Sequence, residues 1–156
     1  MFSFFQKKNF AKWAAIAVLA LVFPAGIPGC SNGTTDKVTV PEALKASWAA
    51  GDESYIITST TFTAAWAGES YYAGKIVNIR EDDPTAGYIT IKYTLNTYTP
   101  DAIGNYYVIC YKNLGQSGMS LAGSSEGAGK ATQAEAESEY TAANGYFDWL
   151  TDLTKS

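Results

Sequence analysis

The residues best suited to covalent chemistry in this chain are its two cysteines, Cys30 and Cys110, because the sequence contains no histidine. Histidine is the usual general base, the usual proton shuttle and the commonest metal ligand. Its absence excludes Ser-His-Asp and Cys-His schemes, which need a base that exchanges a proton near neutral pH. A zinc site of the usual kind would also need histidines or several thiols. We therefore expect no metal site and no cofactor.

The remaining constellations for catalysis are weak. A Ser-Lys pair can be drawn from Ser117 or Ser120 with Lys130, but no motif joins these residues. The glycines and the lysine of residues 123–130 lack the Walker spacing and predict a flexible loop. The acids of residues 81–83 lack the alternating ligands of an EF-hand and predict a solvated turn rather than a calcium site. No carboxylate pair stands out for glycoside hydrolysis. We expect this protein not to be an enzyme.

The first 29 residues differ from the rest of the chain in charge and hydropathy. Residues 1–12 carry three lysines and no acid, and residues 13–23 are apolar and uncharged. A basic start, an apolar core of about 7–15 residues and a small-residue exit are typical of a secretory signal peptide. The apolar run is too short for a transmembrane helix, which needs about 20 residues. Residues 1–29 are thus predicted to be a signal peptide, the alternative being a membrane anchor that is never removed.

The exit of this segment, Ile27-Pro28-Gly29-Cys30, resembles the lipobox of bacterial lipoproteins, in which an aliphatic and two small residues precede a cysteine. The resemblance implies cleavage before Cys30, a diacylglycerol on its sulfur and an acylated amino group. The alternatives for Cys30 are a disulfide partner or an idle thiol. Ser31 follows rather than Asp, and similar lipoproteins of bacteria with two membranes are then sent to the outer membrane. The expected location is the cell envelope, at the outer membrane or cell surface.

The charge of the chain is unevenly distributed. The whole sequence has a net charge of −4 and an isoelectric point of about 4.7. All fifteen acids but only eight of the eleven bases follow Cys30, so the part after the signal has a net charge of −7. This surface argues against a nucleic-acid partner. It would also be repelled by anionic lipid, so the attachment to the membrane is expected to come from the acyl chains.

The chain after Cys30 reads as a tether followed by a β domain. Residues 30–43 are small and polar and predict a flexible tether, unless Val38 and Val40 form a short edge strand. Residues 44–156 alternate between β-forming runs and turn residues, which predicts a mainly β domain. Within it, residues 88–95 alternate with a period of two, which indicates one buried and one solvated face. The predicted strands lie near 44–49, 54–58, 61–67, 70–80, 87–96, 104–112 and 117–123.

A C-terminal helix is predicted from about residue 132. Thr132 followed by Glu135 forms a capping box, and apolar residues then recur every three to four positions as far as Leu150. Asn144 and Gly145 interrupt the pattern, so the segment divides into two helices if Gly145 is a C-cap. Residues 146–150 are then a hydrophobic plug.

Seven to eight antiparallel strands joined by short turns predict a meander that closes into a small barrel, because closure removes exposed strand edges. Ala46-Ser47-Trp48 at the start of the first strand, and the order of a barrel followed by a helix, resemble lipocalins. The resemblance implies an interior that holds a small apolar ligand. The alternative is a partly open sheet or a small sandwich with a helix on one side.

The aromatic residues are the remaining functional signal, and all eleven tyrosines follow Cys30. Such rings fill small barrels and pair across strands, or line a pocket or stack on sugars. Tyr71-Tyr72 and Tyr106-Tyr107 are each expected to send one ring to either face of the sheet. Cys110, in mid-strand, is predicted to be a buried inert thiol, the alternative being an intermolecular disulfide.

Two functions follow from these observations. The first is a lipid-anchored, non-catalytic binding module for a small apolar ligand or for a surface partner, such as an adhesin contacting its target through exposed tyrosines. The second is a structural envelope lipoprotein that acts only through contacts with other proteins. Both have the membrane as a partner, through the acyl anchor on Cys30.

Replacing Cys30 with Ala tests the anchor. Each buried acyl methylene contributes about 0.8 kcal/mol, so two or three chains hold a protein firmly. We expect Cys30→Ala to move the protein out of the membrane fraction, and intact-mass analysis of the wild-type protein to give an acylated N-terminus at Cys30. Cys110→Ala is the control and should stay in the membrane fraction. An N-terminus at Met1, or retention of Cys30→Ala, would contradict the lipoprotein prediction.

Overall fold

A computed structural model of the chain describes residues 37–156, so the predicted signal peptide and Cys30 lie outside the described residues. Eight strands form a closed antiparallel barrel in which each strand pairs with the next along the chain and the last pairs with the first. They are β1 (Ala46–Ala50), β2 (Glu53–Ile57), β3 (Thr61–Trp66), β4 (Glu69–Asp83), β5 (Ala86–Asn96), β6 (Tyr106–Lys112), β7 (Gly118–Gly123) and β8 (Thr151–Lys155). This confirms the predicted mainly β class and the closed barrel.

The helical elements are short. One α-helix, α1, spans Gln133–Glu139, and single 3₁₀ turns span Pro100–Ala102 and Ala142–Asn144. No helix within residues 37–156 is long and apolar enough to cross a membrane.

The up-and-down order gives the barrel two distinct ends. The first, called here the loop end, carries the connections that follow the odd-numbered strands: residues 51–52, 67–68, 97–105 and 124–150. The second, called here the entry end, is where the described chain enters. It carries residues 37–45, 58–60, 84–85 and 113–117.

The barrel interior is filled by alternate residues of the strands. On β5, Ile89, Ile91 and Tyr93 point inward and are almost fully buried, as their alternation predicts. The opposite face of the same strand was expected to be solvated. This is only partly so, because Thr90 on that face is only 2% exposed. That face lies under the segment that contains α1, where Asn78 of the neighbouring strand donates a hydrogen bond to Glu137.

Trp48 anchors the first strand to its surroundings. Its ring is fully buried, and its Nε1 donates a hydrogen bond to the carbonyl oxygen of Leu44 at 3.0 Å. The ammonium of Lys155 on β8 lies 5.7 Å from the ring centre, which joins β1 and β8 across the closure. Val40, in the predicted tether, is 4% exposed and packs with Leu44 into the interior cluster. No strand is assigned to residues 37–45.

A second, smaller core lies outside the barrel wall. Outward-facing residues of β5, β6 and β7, Cys110 among them, pack there against residues of α1 and of the segment that follows. Cys110 is 2% exposed, as predicted, and its burial raises the pKa of the thiol, which favours the unreactive protonated form. The members of this outer core are Tyr88, Val108, Cys110, Ala122, Ala136, Tyr140 and Phe147.

The C-terminal segment differs from the prediction. The helix begins as expected, with Thr132 accepting a hydrogen bond from the Glu135 amide at 3.3 Å, but it ends at Glu139. Gly145, with a φ of 78°, caps the following 3₁₀ turn, as the sequence indicated. Beyond it the prediction of helical spacing was wrong, because the chain extends into β8. Closing the barrel requires an eighth strand, and Leu153 of β8 supplies its inward residue.

The turn predicted at the acids of residues 81–83 lies further along the chain. Strand β4 continues to Asp83 and β5 begins at Ala86, so only Pro84 and Thr85 form the turn. The Asp83 carboxylate accepts hydrogen bonds from the Thr85 amide and hydroxyl at 2.7 and 2.8 Å. The acids of residues 81–83 are exposed, but they lie at the end of a strand and not in a turn.

Leu153→Ala tests the role of β8 in closure. Leu153 is 2% exposed, and removing a buried leucine side chain destabilises a core by about 2–5 kcal/mol. We expect a loss in the free energy of unfolding of that size, measured by urea denaturation. Thr154→Ala, an exposed neighbour on the same strand, should change it by less than about 0.5 kcal/mol. Equal losses in the two variants would contradict the inward placement of Leu153.

Candidate functional site at the loop end

Tyrosine rings fill the loop end of the barrel interior. The Tyr72 ring contacts four others, with centroid separations of 5.1 Å to Tyr71, 5.7 Å to Tyr107, 5.8 Å to Phe62 and 6.1 Å to Tyr93. Aromatic pairs at such distances contribute about 0.5–1.5 kcal/mol each beyond their burial. The rings thus form a connected cluster that occupies this part of the interior.

Tyr71 and Tyr72 do not point to opposite faces, so that prediction was wrong. The β3–β4 register passes from Tyr72 to Ser70 and leaves Tyr71 unpaired between them, which is a β-bulge. The extra residue changes the alternation, and both rings pack against the interior cluster. The companion prediction for Tyr106 and Tyr107 is confirmed, since they pack in the outer and inner cores respectively.

The hydroxyls of two interior tyrosines hold a segment across the loop end. Tyr93 donates to the carbonyl oxygen of Gly127 at 3.1 Å, and Tyr107 donates to that of Ser124 at 2.8 Å. Burial raises the pKa of both tyrosines, so they remain protonated donors at neutral pH. The segment of residues 124–130, called here the cap segment, falls within the region expected to be a flexible loop. In the structure the barrel interior fixes its position.

The cap segment also needs a glycine. Gly129 has a φ of 66°, and a Cβ there would lie 2.6 Å from the Tyr106 carbonyl oxygen. Its neighbour Lys130 forms a two-way backbone pair with Tyr106, at 2.7 and 2.8 Å. The close approach of the two backbones therefore depends on the missing side chain.

Lys130 forms the ionic centre of this region. Its Nζ lies 2.9 Å from Glu126 Oε2 and 2.7 Å from Glu139 Oε1, which joins the cap segment to α1. Tyr140 and Tyr146 donate to the same two carboxylates. The hydrogen bonds from Lys130 lower the pKa of Glu126 and Glu139, and the two carboxylates raise the pKa of Lys130.

The candidate Ser-Lys pair is not assembled. Lys130 is held by the two glutamates, and Ser120, 4% exposed, donates instead to Asp152 Oδ1 at 2.6 Å. Within residues 37–156, no three His, Cys, Asp or Glu side chains are grouped so that they could hold a metal ion.

Three large aromatic side chains are exposed around the loop end. Trp66, at the end of β3, is 56% exposed, and Trp149, just before β8, is 89% exposed. Tyr98 is 80% exposed, and its ring lies 5.8 Å from that of Tyr71, so it continues the interior cluster outward. These three residues are called here the rim aromatics. The exposure of Trp149 overturns the predicted plug at residues 146–150, of which Phe147 is the member buried in the outer core.

The surroundings of the rim aromatics are acidic. Asp52, Glu69, Asp101 and Asp148 are exposed residues at or beside the loop-end connections, and are called here the rim acids. Lys130 is the one base in those connections, and its ammonium is engaged by two glutamates. The loop end therefore presents aromatic surface with a local excess of negative charge.

The entry end carries most of the bases, together with the acids Glu42, Glu81, Asp82 and Asp83. Six of the eight bases among residues 37–156 lie at it or on strand segments leading to it: Lys37, Lys45, Lys75, Arg80, Lys112 and Lys155. A cleft of about 530 Å³ lies here, between the entering chain, the β2–β3 turn and β4. A second, shallower cleft of about 410 Å³ lies by the β6–β7 turn and β8. None of the interior aromatic rings lines either cleft.

Only part of this surface could be inferred from the sequence. Trp66 directly precedes a two-residue turn and Trp149 follows an aspartate, positions that favour exposure. The grouping of the rim acids and rim aromatics at one end could be recognised only from the order in which the strands pair. No family model, curated protein sequence or solved structure matches this chain. The functional argument therefore rests on the barrel and its two ends.

Lys130→Gln tests the coupling of the cap segment to α1. The carboxylates with lowered pKa stabilise the fold at pH values above their unfolded pKa of about 4.3, and this contribution is lost as the pH falls through their folded pKa. Lys130, whose pKa is raised, stabilises the fold fully below the unfolded lysine pKa of about 10.4. This stabilisation is lost as the pH rises through the folded pKa of Lys130. We expect Lys130→Gln to lower the protection factors of the Ser124 and Lys130-position amides against hydrogen exchange at pH 7, and acidification to lower the same protection factors in the wild type.

The Ile89 and Ile109 amides in the barrel wall should be unaffected, and Lys112→Gln, which removes an exposed lysine elsewhere, is the matched control. Unchanged exchange in the cap segment of Lys130→Gln would contradict the coupling.

Proposed function

We propose that this protein is a non-catalytic, lipid-anchored module of the bacterial cell envelope that binds a basic protein partner through the loop end. The observation that carries the proposal is the combination of three exposed rim aromatics with four exposed rim acids at the end opposite the entering chain.

The placement of this surface suits an anchored protein. The lipobox-like sequence ends at Cys30, seven residues before Lys37, and seven extended residues span at most about 25 Å. A chain anchored at Cys30 would enter the barrel at the entry end, so the loop end would remain free for a partner. The anchor itself rests on the sequence of residues 1–30.

The filled interior favours a surface partner over an internal ligand. An eight-stranded barrel has room for side chains or for one small ligand, and here the interior positions at the loop end are taken by stacked tyrosine rings. The cap segment crosses that end. The lipocalin resemblance therefore extends to the order of strands and to Trp48, while the small apolar ligand that it implies has less support than a surface partner.

The chemistry of the loop end favours a partner that carries lysines and arginines. Tryptophan and tyrosine are enriched at the energetic centres of protein interfaces, and their faces attract cations. Carboxylates placed beside them increase the association rate of a basic surface. The alternative is a structural lipoprotein that acts through contacts independent of this end. It predicts that variants of the rim acids bind as the wild type does.

The rim-acid variant Asp52→Asn/Glu69→Gln/Asp101→Asn tests the proposal, with poly-L-lysine as a defined basic probe and poly-L-glutamate as its negative control. Exposed ion pairs contribute about 0.2–1 kcal/mol each, so we expect binding of the full-length protein to weaken about tenfold. Its dependence on salt should also become shallower. The readout is the dissociation constant measured by biolayer interferometry at several salt concentrations.

The matched control is Glu42→Gln/Glu81→Gln/Asp82→Asn, which removes the same charge from the entry-end side of the barrel and should bind as the wild type does. Trp149→Ala should also weaken binding, while Ile56→Ala, an exposed apolar residue on the outer wall of β2, should not. Equal losses in the rim-acid and control triples would show a general charge effect and overturn the assignment of the partner to the loop end.

A further inference from the structure

The entry-end cleft beside the β2–β3 turn combines basic, hydroxyl and aliphatic side chains. Its lining contains two lysines, two hydroxyl residues and three aliphatic residues, and no acid. Its volume of about 530 Å³ falls in the range of small-molecule sites, about 300–1,000 Å³. The lining residues are Lys37, Val38, Ser59, Thr60, Lys75, Ile76 and Val77.

The two lysines of the cleft are not neutralised by neighbouring acids of the described chain. Among residues 37–156, the ion pairs are formed by Lys45, Arg80 and Lys130, and no carboxylate lies within 4.0 Å of the ammonium of Lys37 or Lys75. The positive charges of these two ammonium groups are therefore available to an anionic ligand in the cleft.

The hydroxyl wall of the cleft is held in a fixed shape. In the β2–β3 turn, Thr58 Oγ1 accepts hydrogen bonds from the amides of Thr60 and Thr61 at 3.2 and 2.9 Å. The amide of Ile76 on β4 donates to the carbonyl oxygen of Thr60 at 2.8 Å, which ties the turn to the base of the cleft. A wall that is already ordered loses little conformational entropy on binding a ligand.

The donor set matches a phosphate group attached to an apolar body. Ammonium and hydroxyl groups form charge-assisted hydrogen bonds to phosphate oxygens. Val38 and Val77, the partly exposed aliphatic residues of the lining, offer apolar contact to the carbon chain next to the phosphate. Free inorganic phosphate would use the first feature and leave the second unused.

We propose that this cleft binds the phosphate of an anionic phospholipid headgroup and so orients the barrel with its entry end on the bilayer. This inference rests on the proposed function, because an anchor at Cys30 would keep Lys37 within about 25 Å of the membrane surface. The local cationic site also explains how a protein of net negative charge can lie against anionic lipid.

Amine labelling read by peptide mass spectrometry tests the site on the mature chain. The protein is placed in nanodiscs of phosphatidylcholine alone, of phosphatidylcholine with phosphatidylglycerol, or of phosphatidylcholine with added inorganic phosphate. We expect phosphatidylglycerol to slow the labelling of Lys37 and Lys75 by about threefold at two-thirds occupancy. Lys112 and Lys155, at the same end but outside the cleft, should label at an unchanged rate.

Lys37→Gln/Lys75→Gln should also weaken binding of the chain to soluble dioctanoyl phosphatidylglycerol about tenfold or more, and Lys92→Gln/Lys112→Gln, with the same change in charge, should not. Equal slowing at all entry-end lysines would show general attraction to the membrane and overturn the site. Equal slowing by inorganic phosphate would overturn its assignment to lipid.

The intact mass of the same sample separates this proposal from the anchor. If Cys30 carries no acyl chains, the proposed anchoring fails, and the titration with dioctanoyl phosphatidylglycerol still decides the cleft because that lipid is free in solution. If Cys30 is acylated and the titration shows no binding, the cleft proposal alone is overturned.

Discussion

Hydrogen bonds from interior tyrosine hydroxyls tie the cap segment to the core of the barrel. The interior of an eight-stranded barrel has room for side chains or for one small ligand, and here aromatic rings occupy its loop end. The hydroxyl of a buried tyrosine usually has a hydrogen-bond partner, and those of Tyr93 and Tyr107 donate to the carbonyl oxygens of Gly127 and Ser124. Filling the core thereby fixes the position of the segment that crosses the loop end.

The position of the cap segment then determines what the outer surface can present. Lys130 at its end binds Glu139 of α1, and α1 covers the outer core in which Tyr140 and Cys110 lie. The chain that leaves this core exposes Trp149 before it enters the barrel wall as β8. A barrel with a filled interior can still be a binding module, because its exposed aromatic and charged groups are carried on connections that the core holds in place.

Much of the fold could be predicted from the sequence because the strands alternate and the turns carry Gly, Asp and Asn. The parts that could not be predicted depended on contacts between distant segments. The bulge at Tyr71 is a property of the β3–β4 register, and Thr90 looks solvated until the α1 segment covers its face. Residues 151–155 are recognised as a strand only because β7 and β1 leave a place for one. The rim was missed for the same reason, since its members lie on four separate connections.

The two ends of the barrel underlie the proposal that the entry end faces the membrane and the loop end faces away from it. Hydroxyl-radical footprinting of the native protein, in its membrane and after extraction, tests this directly. We expect the membrane to protect residues 58–60 and 75–77 at the entry end and to leave Trp66, Tyr98 and Trp149 as reactive as in the extracted protein. Protection of the rim aromatics by the membrane, with a reactive entry end, would contradict the proposed orientation.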